Sequence, residues 1–198
     1  MDDAAAPLLL FVVGPQAVGK MSVGQAIAER TGLRLFHNHI SIEVAVRYFD
    51  FGTPAFYRID GEIRRLVIEE VAASDLPGLI FTFVWAFDVP EEQDFIDACA
   101  RPYRARGGRV LFVELEATQA ERLKRTEGAS RLAEKPSRRD LEASRRSLLD
   151  LDERYQLNSG GKFDGRADYL RIDNTLLTPA EVADRVIRHF GLAGPLTA

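Results

Sequence analysis

Cysteine is all but missing from this chain. Cys99 stands alone, which excludes an intramolecular disulfide and fits a reducing, cytoplasmic compartment. Histidine is scarce too, at three residues, His37, His39 and His189. With no second cysteine, the His37-x-His39 spacing is a poor start for a zinc site. Long hydrophobic runs are absent. Leu8 to Val13 is an apolar run of six residues, far below the roughly 20 that a membrane span needs. It follows Met1-Asp2-Asp3, with no positive region before it, so it reads as a strand and not as a signal. A basic excess is also lacking, since the net charge is −4. The chain is thus expected to have neither a membrane nor a nucleic acid as partner.

What is present is an alternation of strand and helix patterns. Leu8–Val13, Leu33–Phe36, Leu79–Val84, Val110–Leu115 and Tyr169–Ile172 read as five strands. Helical stretches separate them, over about 19–30, 40–49, 59–74, 90–107, 118–125 and 138–155, with a last one from Thr178-Pro179 to Gly191. Phe51-Gly52-Thr53-Pro54 reads as a break between the second and third. Apolar strands alternating with helices predict a parallel sheet covered on both faces. A length of 198 residues suits one domain, 1–198. Ligands in such folds meet the carboxyl ends of the strands, so the residues just beyond each strand are the candidates.

After the first strand comes Gly14-Pro15-Gln16-Ala17-Val18-Gly19-Lys20-Met21-Ser22. A buried strand, a Gly-rich turn and a helix start form the context of a phosphate-binding loop. Successive amides of such a turn make a nest for phosphate oxygens, and the helix N-terminus adds its unpaired N–H groups and its dipole. Lys20 can reach the terminal phosphates as a point charge. The usual Mg²⁺-binding hydroxyl directly after the lysine is replaced by Met21, and Ser22 supplies one a residue later.

After the second strand stand His37, Asn38 and His39. An imidazole can bind a hydroxyl or take a proton near neutral pH; capping and internal hydrogen bonding are the alternative roles. After the third strand stand Trp85, Phe87 and Asp88. They could frame an acceptor, or serve as core and helix N-cap. The segment 122–139 holds seven basic residues, Arg122, Lys124, Arg125, Arg131, Lys135, Arg138 and Arg139, against Glu127 and Glu134. Such an excess in an acidic chain suits an anionic partner, as an Arg-bearing lid over a transferring phosphoryl group or as a solvated basic face.

The loop resembles that of adenylate kinases, in which Gly-Lys-x-Thr places the hydroxyl two residues after the lysine. Gly61-Glu62-Ile63-Arg64-Arg65 through Glu69 resembles the Gly-Glu-x-x-Phe-Arg-x-x-Glu of shikimate kinases, with the arginine displaced. Where shikimate kinases carry Asp-x-Asp after the second strand, this chain has His37-Asn38-His39. The order of elements is similar to both families over nearly the whole chain. It is similar as well to small bacterial P-loop proteins described as shikimate-kinase-like.

The resemblance implies a three-layer P-loop fold of the nucleoside monophosphate kinase type. Acceptor helices would occupy about 37–76 and an Arg-rich lid about 122–139. ATP with Mg²⁺ would be the phosphoryl donor and a small polar or anionic molecule the acceptor, in a monomer or homodimer. A nucleotide acceptor, or an ATP-driven switch with no small acceptor, are the rival readings. Gly14, Gln16, Ala17, Val18, Gly19, Lys20, Met21, Ser22, Arg122, Asn174 and Thr175 would hold the nucleotide, with Ser22 near the metal. Lys20, Arg125, Arg131 and His37 would serve the chemistry, and Arg122 or Arg138 could substitute among the arginines. His37, Asn38, His39, Arg47, Arg64, Arg65, Trp85 and Asp88 would meet the acceptor.

Overall fold

The computed structural model describes residues 6–127, 141–192 and 194. The strands are β1 (Leu8–Val13), β2 (Arg34–His37), β3 (Gly78–Phe83), β4 (Arg109–Glu116) and β5 (Tyr169–Asp173). They form one parallel sheet in the order β2-β3-β1-β4-β5. β1 lies at the centre, with Val13 level with Phe83 on one side and Glu114 on the other.

Two apolar layers follow from the alternation of side chains along the strands. Leu10, Val12, Ile80, Leu111 and Val113 pack on the side of α1 (Lys20–Thr31) and the C-terminal helix (Pro179–Phe190). Leu9, Phe11, Phe81 and Phe112 pack on the opposite side, against α3 (Pro54–Ala73) and α4 (Pro90–Ala105). Between these lie α2 (His39–Ala45), α5 (Gln119–Arg125) and α6 (Leu141–Arg154); the C-terminal helix is α7.

α3 starts five residues earlier than the sequence suggests, at Pro54 and not near Ile59. Thr53 accepts a hydrogen bond from the Phe56 amide, and Pro54 takes the first helical position. The proline there is a helix start, because its missing N–H is unpaired at that position in any case. α2 is shorter than expected and ends at Ala45. α7 opens on a full capping box between Thr178 and Glu181.

A buried carboxylate braces the far half of the sheet. Glu114 on β4 accepts from the Ser159 amide at 2.7 Å, the Ser159 hydroxyl at 2.6 Å, the Tyr169 hydroxyl at 2.7 Å and the Asn158 side chain at 2.9 Å. These bonds tie the 158–161 loop to β4 and β5. Cys99, on the inner face of α4, is buried, and burial pushes its thiol up to about 12. Among the described residues no helix is long and apolar enough to cross a membrane.

Candidate functional site

The loop after β1 is shaped by three residues with positive φ, Gly14 (134°), Ala17 (63°) and Gly19 (107°). A Cβ on Gly14 would lie 2.4 Å from the Leu115 carbonyl oxygen, so the loop presses against β4 at a distance only glycine allows. Gly19 caps α1 in the left-handed conformation with no side-chain cap. The first amides of α1 therefore stay available to an anion. Lys20 is buried, and its ammonium donates to the carbonyls of Gly14 at 2.6 Å and Pro15 at 2.8 Å. The charge is thus held over the loop it would serve.

The neighbouring polar side chains fix this loop. Arg125 donates to the Val18 carbonyl at 2.9 Å, to Asn174 O at 2.9 Å and to Thr175 O at 3.1 Å, and its Nε pairs with Glu121 at 3.0 Å. Asn174 Nδ2 donates to the same Val18 carbonyl at 2.8 Å, while its Oδ1 is buried without a hydrogen-bond partner. Arg125 and Asn174 thus join the loop to the end of β5. Arg122 is buried beside the loop. Its guanidinium grips Asp152 of α6 with both Nη atoms and donates to Gln16 O at 3.3 Å. Gln16 in turn holds α6, through Ser144 O at 3.2 Å and Ser147 at 3.2 Å. Ser22 is exposed at the surface of α1, and Met21 is half-buried.

A cleft of about 600 Å³ runs from this loop across to α3 and α4. Gln16, Ala17 and Lys20 line one end. Asn38, His39, Asp60, Arg64, Glu91 and Glu92 supply polar groups farther along, among Phe51, Phe56, Tyr57, Phe83, Phe95 and Tyr155. Of the acceptor residues expected from sequence, Asn38, His39 and Arg64 are brought together here.

The others are placed elsewhere. Arg65 lies on the outer face of α3 between Glu62 and Glu69, both at 2.7 Å. Arg47 is exposed beyond α2. His37 ends β2 level with Thr82, outside the cleft lining. Trp85 is buried in the aromatic layer, its ring 4.3 Å from Phe87 and 5.8 Å from Phe163. Asp88 accepts from the Gln156 amide at 2.9 Å, which fastens the loop before α4. Arg131 and Arg138 lie outside the described residues.

Sequence reasoning missed Asp60 and Glu92. Asp60 is buried on α3, one turn from Arg64, whose guanidinium lies 2.9 Å from Oδ2. Arg64 also donates to Ser41 of α2 at 3.1 Å and lies over the rings of Phe81 and Phe83. The other carboxylate oxygen, Asp60 Oδ1, is buried with no hydrogen-bond partner. Burial raises the Asp60 carboxyl above its ordinary value, against the opposing pull of Arg64 and Ser41. Burial likewise raises Glu92, which accepts from the Ala86 amide. Helical spacing held the clue: Phe56, Asp60, Arg64, Ile68 and Ala72 repeat at four residues on the inward face.

The loop fits a nucleotide phosphate. Its glycine at the β4 contact, its left-handed Ala17 and its uncapped helix start all suit an anion nest. Among the described residues no cluster of three or more His, Cys, Asp or Glu could hold a metal by itself. Mg²⁺ in such sites is carried mostly by phosphates and water with one or two protein ligands, a need that the Ser22 hydroxyl can meet and the Met21 thioether cannot.

No protein-family model matches the chain, and no curated protein matches it in sequence. Solved structures do match in fold. The APS kinase of Mycobacterium tuberculosis, in complex with AMPPNP and APS, superposes with a TM-score of 0.59 at 14% identity, over 94% of this chain and 98% of its own. A gluconokinase from Sinorhizobium meliloti gives 0.56 at 14% identity, over 94% and 91%. The shikimate kinase of Acinetobacter baumannii, in complex with shikimate, gives 0.52 at 19% identity, over 93% of each chain. The five-stranded parallel sheet with flanking helices is the fold of these P-loop kinases.

Proposed function

We propose that this chain is an ATP-dependent phosphotransferase that moves the γ-phosphoryl group of ATP to a small-molecule hydroxyl acceptor. One observation carries the reading: a single cleft of about 600 Å³ joins the phosphate loop at Ala17 and Lys20 to a side-chain-lined pocket at Asp60 and Arg64. A small molecule there would sit beside the terminal phosphate, the arrangement that converts a bimolecular step into a positioned one. Fold likeness to kinases of gluconate, shikimate and APS supports the class and leaves the acceptor open.

In this reading the amides of 14–20 and Lys20 hold the β- and γ-phosphates. Lys20 exchanges its two carbonyl partners in the loop for phosphate oxygens. Ser22 stands near the Mg²⁺ that accompanies ATP. Arg125 and Asn174 keep the loop in register with the end of β5, where the base would lie. Arg122 serves as a brace rather than a phosphate ligand, because both its Nη atoms are committed to Asp152. The test is ADP release from ATP and Mg²⁺ across sugars, hydroxy acids, nucleosides, nucleotides and amino sugars. Acceptor-dependent release that Lys20→Ala abolishes is expected. Slow hydrolysis that no acceptor stimulates would instead make the chain a nucleotide-binding switch.

A further inference from the structure

The acceptor end of the cleft is acidic and apolar. Setting Lys20 aside for phosphate, the charged side chains along it are Asp60, Glu91, Glu92 and Arg64 among the described residues. Arg64 is already committed, to Asp60 at 2.9 Å and to Ser41 at 3.1 Å. An anionic acceptor would therefore meet three carboxyls and one guanidinium that is already paired. Around them stand aromatic rings, and Phe51 and Tyr57 at the mouth are 63% and 59% exposed. Flat apolar faces beside carboxylates suit a ligand with a flat body and a cationic end.

The second observation is the state of Asp60. The residue is only 6% exposed, lines the cleft, and keeps Oδ1 without a hydrogen-bond partner while Oδ2 is fixed by Arg64. A buried carboxylate oxygen without a donor is costly; Oδ1 has almost no open surface, so a ligand hydroxyl supplies that donor once the Asp60 carboxyl turns Oδ1 toward the cleft.

We infer, building on the phosphotransferase reading, that the acceptor is an amine-bearing hydroxyl compound with a flat, apolar body, and that Asp60 Oδ1 takes the proton of the attacking hydroxyl. Glu91 and Glu92 receive the ammonium, and the rings receive the body. As the hydroxyl oxygen bonds to the γ-phosphorus, its proton passes to Oδ1. The bond from the γ-phosphorus to the bridging oxygen breaks, and ADP departs with that electron pair. Arg64 holds Asp60 in place through Oδ2 and does not touch the acceptor. Burial, which raises Asp60 and Glu92, helps both tasks: a more basic carboxylate takes a proton more readily, and a desolvated one gains more from a nearby cation.

The experiment measures ATP- and Mg²⁺-dependent ADP release by the full chain with three panels that differ in charge; phenylalaninol, 3-phenylpropane-1,2-diol and 3-phenyllactate are the set matched in body, and kanamycin is the amine without a flat apolar body. The amine panel is phenylalaninol, puromycin and kanamycin. The neutral panel is 3-phenylpropane-1,2-diol, uridine and glucose. The acid panel is 3-phenyllactate, shikimate and gluconate. Stimulation greatest in the amine panel is the expected result. Stimulation greatest in the neutral or acid panel overturns the inference and leaves the phosphotransferase reading standing; stimulation by none overturns both.

With the best acceptor, Asp60→Asn should lower kcat by about a hundredfold or more, the usual worth of a general base. ADP affinity by calorimetry should stay within about threefold of the wild type, which a collapse of the fold would not allow. Asp60→Glu, which keeps the carboxylate, should exceed Asp60→Asn by about tenfold. If Asp60→Asn no longer binds ADP, Asp60→Ser is measured in its place. Wild-type kcat in a variant that lacks the carboxylate would overturn the role of Asp60.

Discussion

At the phosphate end of the cleft the polar contacts come from one short stretch, Gly14 to Ser22, and mostly from its backbone. At the acceptor end they come from side chains of α2, α3 and α4, distant in sequence and joined only by packing. The first kind of site is fixed by local conformation, through glycines and a strand-to-helix turn. The second depends on which face each helix turns inward. A backbone cradle binds a group common to many substrates, whereas side chains can be exchanged without rebuilding the loop. The comparison teaches where specificity in this fold can change.

Three substitutions break or sharpen that contrast. The largest effect is expected at the brace that ties the loop to α6. Asp152→Ala leaves Arg122 buried and unpaired beneath Gln16. Removing one partner of such a pair costs about 3–5 kcal/mol, measurable as a lower urea midpoint. A loss below about 1 kcal/mol would place the pair among surface bridges instead. Next comes Lys20→Ala, confined to the phosphate end. Hydrogen bonds to charged groups are worth roughly 1.5–3 kcal/mol, so ATP affinity or turnover should fall about tenfold or more. Calorimetry and a coupled assay check this, and unchanged values would remove the phosphate loop from the reading. The smallest effect is at the hydroxyl: Ser22→Ala should weaken Mg²⁺-dependent ATP binding or turnover by a few-fold, and more than Met21→Ala does. The reverse order would make Met21 a packing residue that the loop needs and Ser22 a plain helix residue.

The same contrast governs what could be read from the sequence. Strand β1, the loop and α1 were legible because each is a local pattern: an apolar run, glycines at fixed offsets and a helical period. The parallel sense of the sheet and most helix limits followed in the same way, whereas the strand order β2-β3-β1-β4-β5, set by contacts distant in sequence, did not. Pro54 misled, since a proline reads equally as a break and as a first helical residue until Thr53 is seen to cap Phe56. Arg64 and Arg65 are adjacent letters, and only the four-residue stripe from Phe56 to Ala72 separates the one that faces inward from the one between Glu62 and Glu69. Asp60 was overlooked because a carboxylate on a helix is usually solvated. Trp85 and Asp88 follow a strand end, the favoured position for ligands, yet that position does not set side-chain direction. Trp85 turned into the aromatic layer, and Asp88 fastened a loop.

Cys99 gives the molecule a timekeeper of its own. Its thiol, held as S–H by burial, lies on the same inner face of α4 as Phe95, a wall of the cleft, and within electrostatic reach of Arg64. Only a thiolate reacts quickly with alkylating or disulfide reagents, so modification must wait until α4 lifts. The rate at which the single sulfur is labelled therefore tracks how much of the time that wall stands open, and a small molecule that binds the closed cleft should slow the clock.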